Sequence, residues 1–149
     1  MKKCLILVLL LFTSVLSYAQ KFDSVVHYKT GDFDAAIFPE QYTRVLDEDT
    51  TIKIRFTPRI DEILSAYQGL KDTTAMSKSY KWQFFGYITK KNEKLLSINC
   101  VSLSDDEIKT KWLNLKWEIV FLDGGCIEWH VLYNLNTNEV LSSMCNYEE

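Results

Sequence analysis

The chain has 149 residues with 17 basic against 20 acidic side chains, a formal net charge of -3. That balance disfavours nucleic acid and anionic lipid surfaces as partners. A hydrophobic fraction of 47% with 13% aromatics excludes a disordered chain, and the length suits one domain able to bury its own core.

Residues 1–19 read as a signal peptide. Lys2 and Lys3 form a basic start, Cys4 to Phe12 is an apolar run too short to span a bilayer, and Ser17-Tyr18-Ala19 places small residues where a signal peptidase reads. Cleavage before Gln20 and export to the periplasm or the cell exterior are the expectation. Cys4 lies within the removed segment, so the exported chain has no membrane anchor and carries 15 basic against 20 acidic residues, a net charge of -5. It keeps Cys100, Cys126 and Cys145, an odd number in a disulfide-permissive compartment. Cys126 and Cys145 fall at one end of a strand pair and are the expected bridge, leaving Cys100 in the core.

Residues 20–149 are expected to form a single α+β domain that opens with an irregular segment over 20–56. Phe22 to Tyr28 can add a strand that Gly31 ends, Ala35 to Leu46 has a helical flavour broken by Pro39, and Ile52 to Phe56 alternates as a short extended piece. Thr57-Pro58 then punctuates the chain: threonine caps the first amides and proline fits the first helical turn. Ile60, Ile63, Leu64, Tyr67 and Leu70 follow on one stripe, which predicts an amphipathic helix from Pro58 to about Leu70. After a polar linker, Asp72 to Ser79, alternation through Trp82, Phe84, Gly86 and Ile88 resumes as Leu96, Ile98 and Cys100, a hairpin pivoting on Asn92. Ser104 to Glu107 has capping-box spacing, and Ile108, Trp112 and Leu115 keep a helical period, so a short helix is expected there.

The segment Trp117 to Tyr133 reads as the central hairpin, turning at Asp123-Gly124-Gly125. A three-residue loop pairs Phe121 with Ile127, Ile119 with Trp129 and Trp117 with Val131, and turns that apolar wall toward the helix stripe. Asn134 to Glu139 is turn-rich, and Val140 to Cys145 makes a last strand. The expected fold is therefore α+β, an N-terminal amphipathic helix packed on a four- or five-stranded antiparallel meander.

That order, with the Asp-Gly-Gly hairpin and the Tyr133-Asn-Leu-Asn-Thr-Asn138 turn, resembles small secreted proteins of unknown function from Bacteroidetes-type bacteria over most of the exported chain. A helix on a curved antiparallel sheet is also similar to the cystatin-like architecture. The Gln-x-Val-x-Gly inhibitor motif of that family is absent, since Gln83-Phe84-Phe85-Gly86 has the wrong spacing.

Catalytic signatures are few. Cys126 and His130 lie four residues apart on one strand, about 13 Å, too far for a nucleophile and its base. Glu118 and His130 face each other in the expected register with Glu128 alongside, which suits a cross-strand charge pair better than a metal site. The acidic runs Asp47 to Asp49 and Asp105 to Glu107 lack calcium-loop spacing. Neither a cofactor nor a metal is expected. The reading is a non-enzymatic exported module that binds an unidentified protein, as an inhibitor or an immunity-type protein does. The alternative is a small ligand-pocket protein or hydrolase of the helix-on-curved-sheet type. The expected contact is the sheet face opposite the helix, carrying Phe85, Tyr87, Glu118, Val120, Glu128, His130 and Leu132; the competing expectation is that Phe33, Ile37, Phe38 and Tyr42 fold across that face and cover it.

Overall fold

The computed structural model describes residues 24–42, 52–71, 80–120 and 127–145. The expected signal peptide and its cleavage site, the acidic run 47–49, the expected linker 72–79, the expected turn at Asp123-Gly124-Gly125, Phe121 and Cys126 lie outside them.

Among the described residues seven strands form one mixed sheet: β1 (Val26–Thr30), β2 (Phe33–Ile37), β3 (Ile52–Phe56), β4 (Tyr80–Thr89), β5 (Lys94–Ser102), β6 (Glu128–Asn134) and β7 (Glu139–Cys145). Helix α1 spans Ile60–Leu70, and α2, Asp105–Glu107, runs on into a wide turn over Ile108–Trp112. The expected helix on a four- or five-stranded antiparallel meander is thereby overturned. Three strands precede α1, and β2 runs parallel to β4.

Strand β4 organises the sheet. One edge pairs with β5 along nine positions, from Tyr80↔Ser102 to Ile88↔Lys94. The other edge is shared end to end by two shorter strands, β2 in parallel at Ala35↔Trp82 to Ile37↔Phe84, and β3 in antiparallel from Phe56↔Gly86 to Ile52↔Thr89. The supposedly irregular segment 20–56 thus supplies three of the seven strands. Every residue of β2 is buried, because the sheet is covered on both faces there. A short run buried on both sides has no alternation to read.

Gly31 makes the β1–β2 turn at φ 56, and Asn92 makes the β4–β5 turn at φ 62, as its tolerance of the left-handed region suggests. Gly86 serves a different purpose. A Cβ there would come within 2.5 Å of the Phe56 carbonyl oxygen and 2.8 Å of its ring, so the bare backbone is what allows β3 to close on β4.

Helix α1 begins at Arg59, two residues later than the Thr57 cap expected from the sequence. Glu62 Oε2 accepts a hydrogen bond from the Arg59 backbone N–H at 2.9 Å, closing the first turn from within. Thr57 Oγ1 is used elsewhere, accepting from the Glu40 backbone N–H at 3.1 Å. The other Glu62 oxygen pairs with Lys94 Nζ, and the same ammonium lies 4.4 Å from the centroid of the Phe56 ring.

Beneath α1 lies the larger core. Ile63, Ala66 and Leu70 pack with Phe33, Ile37, Trp82, Phe84, Leu96, Ile98, Cys100, Val131 and Tyr133. Its aromatic centre is tight: Phe33 stacks on Tyr67 at 4.2 Å, and Tyr67 meets Trp82 edge-on at 5.3 Å. Val131 belongs to this core and Trp129 packs at its margin, so these two members of the expected aromatic wall do face the helix. The rest do not. Trp117 is 70% exposed, Ile127 is at the surface, and Ile119 packs on the opposite face. Residues 117–120 form no ladder with β6, whose neighbours are β5 and β7.

Candidate functional site

The face opposite α1 is a second core. Ala36, Phe38, Phe85, Tyr87, Leu95 and Trp112 are buried there, with Val25, Leu103, Ile108, Leu115, Ile119 and Leu132 packed around them. Phe38 stacks on Phe85 at 4.4 Å, so of the residues named in the competing expectation Phe38 covers this face, while Phe33 and Ile37 point instead into the helix-side core. The larger share of the cover comes from residues 103–119. Of the sequence-chosen contact residues, Phe85 and Tyr87 are buried, and Glu118, Val120 and Leu132 are half-buried. They form no open apolar patch.

The structure assembles a buried polar row of which the sequence reading singled out only the β6 members, Glu128 and His130. Strand register places Gln83 beside Asn99 and Asn99 beside His130. Gln83 and Asn99 are almost fully enclosed, as is Glu128, two residues along β6. The Gln83 and Asn99 amides hold a strap, residues 115–120, at one residue, Ile119. Gln83 Nε2 donates to the Ile119 carbonyl at 2.9 Å, Gln83 Oε1 accepts from the Ile119 N–H at 2.7 Å, and Asn99 Nδ2 donates to the same carbonyl at 2.9 Å. A side-chain amide has the donor and acceptor of a peptide group, so Gln83 does here what a neighbouring strand would do.

Asn99 Nδ2 also donates to Glu128 Oε1 at 2.7 Å, while Asn99 Oδ1 is buried with no hydrogen-bond partner. His130 Nε2 lies 3.5 Å from Glu128 Oε1. The ring keeps its proton more readily than an ordinary histidine, because Glu128 bonds to it; desolvation opposes this, and the charges of Glu128 and Glu118 add to it. Glu118 therefore acts on His130 electrostatically, although the cross-strand ladder expected to juxtapose them does not form.

A second polar cluster pins the wide turn. Trp112 Nε1 donates to Asp34 Oδ1 at 3.0 Å, and Lys81 Nζ donates to Asp34 Oδ2 at 2.7 Å. The His27 ring meets Trp112 edge-on at 5.4 Å, and the resulting desolvation lowers its pKa, with Asp34 pulling the other way. Asp34 is thus committed to anchoring Trp112 and balancing Lys81.

Among the described residues no group of three or more His, Cys, Asp or Glu side chains is placed to hold a metal ion. Cys100 is a free, buried thiol whose pKa burial raises well above 9, which leaves it protonated and unreactive. Cys145 is disulfide-bonded, and Cys126, its expected partner, lies outside the described residues. No described helix is long and apolar enough to cross a membrane.

At the surface the distinctive element is β7. It pairs with β6 on one side, and among the described residues no strand pairs with its outer edge. Val140, Leu141 and Met144 are 39%, 50% and 59% exposed. An extra residue at Leu141 shifts the β6–β7 register, so Val140 aligns with Tyr133 and Met144 with His130, on opposite faces of the sheet. Gln83 and Asn99 were legible only as polar residues breaking an apolar alternation, and β7 only as a final strand lacking a charged residue between Glu139 and Cys145.

No family model, no curated protein and no solved structure matches the chain.

Proposed function

We propose that the protein is an exported, non-enzymatic module that works by binding another polypeptide, and that the contact runs along β7. The observation that carries this reading is an edge strand paired with β6 on one side and with no described strand on the other, with apolar side chains exposed on both faces and no lysine or proline among its residues. Such an edge offers unpaired N–H and C=O groups to an extended segment, and exposed apolar side chains on either face add contact area. Export rests on Lys2, Lys3, the apolar run to Phe12 and the Ser17-Tyr18-Ala19 site.

The alternative, a ligand pocket under the strap, draws on the convergence of Gln83, Asn99 and Glu128. Apart from Asn99 Oδ1, the polar atoms of the two amides are already spent on Ile119 and Glu128, and this favours the binding module.

A photo-crosslinking residue at Ser142 tests the proposal in cells that export the protein. The expected result is a discrete adduct with a second protein, lost in a Leu141→Lys, Met144→Lys variant that keeps its fold because both positions are exposed. An adduct of twice the chain mass would identify the partner as a second copy. Crosslinking that never exceeds the level seen in the lysine variant would overturn the reading.

A further inference from the structure

Asp34 stands where four elements meet on the face opposite α1. In the β1–β2 ladder Lys29 lies opposite Asp34 and His27 opposite Ala36, so His27 is the diagonal neighbour of Asp34 on that face. Lys29 Nζ is 4.0 Å from Asp34 Oδ2, and Lys81 Nζ, from β4, is 2.7 Å from the same oxygen. The wide turn brings Trp112, whose indole donates to Asp34 Oδ1 at 3.0 Å and meets the His27 ring edge-on at 5.4 Å. The remaining charged side chains of α2 and the turn are Asp105, Asp106 and Lys109, all exposed, and Lys111, which pairs with Glu107 at 3.0 Å.

We propose that His27 is an acid-sensitive wedge on the wide turn: its neutral ring packs on the Trp112 indole and shelters the bond to Asp34, and protonation drives the ring into solvent and loosens Trp112 in the strap-side core. Two effects oppose a charge at this position. An imidazolium held against an indole gives up hydration, and Lys29 and Lys81 carry its own sign. The carboxylate among them already balances both ammoniums and accepts the indole N–H. The ring also has an exit, because β1 is an outer strand of the sheet and His27 is exposed on it. The effect is local, since the core under α1 contains none of these groups.

The sign agrees with the direction in which folding moves His27. Its pKa falls below the ordinary 6.5, with desolvation the larger cause and the opposing pull of Asp34 the smaller. A base whose pKa is lowered by folding contributes in full above its unfolded value, and the contribution is lost as the pH drops below 6.5 toward the folded value. The wedge is therefore seated in neutral solution and leaves in mildly acidic solution.

The Trp112 indole N–H reports directly, because its bond to Asp34 is the one sheltered. Its hydrogen-exchange protection, referred to the intrinsic rate at each pH, should fall about two- to fivefold between about pH 8 and about pH 5, the size of one partly exposed electrostatic contact. His27→Phe keeps a ring on the indole with no proton to gain, and should remove the step. Lys29→Gln takes away a like charge at an exposed position and should move the midpoint of the step to higher pH, which keeps the test valid if the His27 variant fails to fold. The Ile98 amide in the helix-side core should show no step. A Trp112 protection factor that stays flat while the His27 ring titrates would overturn the wedge. So would a step that survives in His27→Phe, which would belong to His130, the other histidine of the chain. A midpoint that Lys29→Gln leaves in place or lowers would count equally against it, as would a step shared by Ile98, which would mark a change in global stability.

Discussion

The two faces of the sheet solve the same problem with different materials. Under α1, aliphatic and aromatic side chains interlock around Phe33, Tyr67, Trp82 and Phe84, and Lys94 pairs with Glu62 at the first turn of the helix. On the other face the cover has little regular structure, and it is fixed at two points by polar groups reaching up from the sheet: Asp34 to the Trp112 indole, and Gln83 with Asn99 to the Ile119 peptide. A face covered by a helix needs only shape and hydrophobicity, because the helix satisfies its own backbone. A face covered by a strap must also supply partners for the strap's buried N–H and C=O groups. The buried amides and Asp34 are what that cover requires.

The largest effect should come from the helix side. Phe84→Ala removes a wholly buried ring from the larger core and should cost about 3 to 5 kcal/mol, enough to leave a domain of this size marginal in chemical denaturation. On the strap side a single polar anchor should matter less. Trp112→Phe keeps most of the ring but deprives Asp34 Oδ1 of its indole donor, with an expected cost of about 1 to 3 kcal/mol in the same measurement. If the two variants prove equally damaging, the polar anchors are as much a part of the core as the aromatics are.

Gly86→Ala sharpens the comparison from within the sheet. The added methyl meets the Phe56 backbone, which cannot rotate away as a side chain could, so β3 has to shift off β4. A loss of about 1 to 3 kcal/mol by denaturant midpoint is expected. Partial recovery in a Gly86→Ala, Phe56→Leu double variant would show how much of the clash is the ring rather than the carbonyl.

How legible each face was follows from the same physics. The stripe Ile60, Ile63, Leu64, Tyr67 and Leu70 announced α1, and alternation announced the β4–β5 hairpin with Asn92 at its pivot, because each element buries one side and shows a period. Strand β2 was lost because both of its sides are buried. The segment Trp117 to Phe121 misled in the opposite way: its alternation is that of a strand, yet Ile119 is claimed by two side-chain amides from β4 and β5, and β6 takes β5 as its neighbour on that side instead. Without that ladder the face assignment of Trp117 and Ile119 failed. Side-chain pairing of this kind has no periodicity, so Gln83 and Asn99 looked like interruptions of a strand rather than anchors for the strap. For β7 the sequence placed a strand correctly, but edge position is a property of sheet order, which no local pattern encodes.

The smallest expected effect lies at the start of α2, where the strap-side cover leaves the sheet. Ser104 caps the turn: Glu107 accepts from the Ser104 backbone N–H at 3.0 Å and from its hydroxyl at 2.9 Å, while Lys111 Nζ donates to the other oxygen at 3.0 Å. The Ser104 amide, then Lys111 and the Ser104 hydroxyl, hold the Glu107 carboxyl at a pKa of about 2, below the ordinary value of 4.5. Because folding lowers this pKa, the capping contribution is complete above 4.5 and is lost as the pH falls through about 2. The carboxylate is exposed to solvent, so the consequence is local fraying of the α2 turn rather than unfolding. Side-chain carbon shifts of Glu107 should titrate with a midpoint of about 2, and the Ser104 amide resonance should follow the same curve. In Glu107→Gln the Ser104 amide should lose that acid titration, while the resonances of Phe84 and Ile98 under α1 stay in place. A Glu107 midpoint near 4.5 would show that the box is open in solution, and that the strap-side cover is held by Asp34, Gln83 and Asn99 alone.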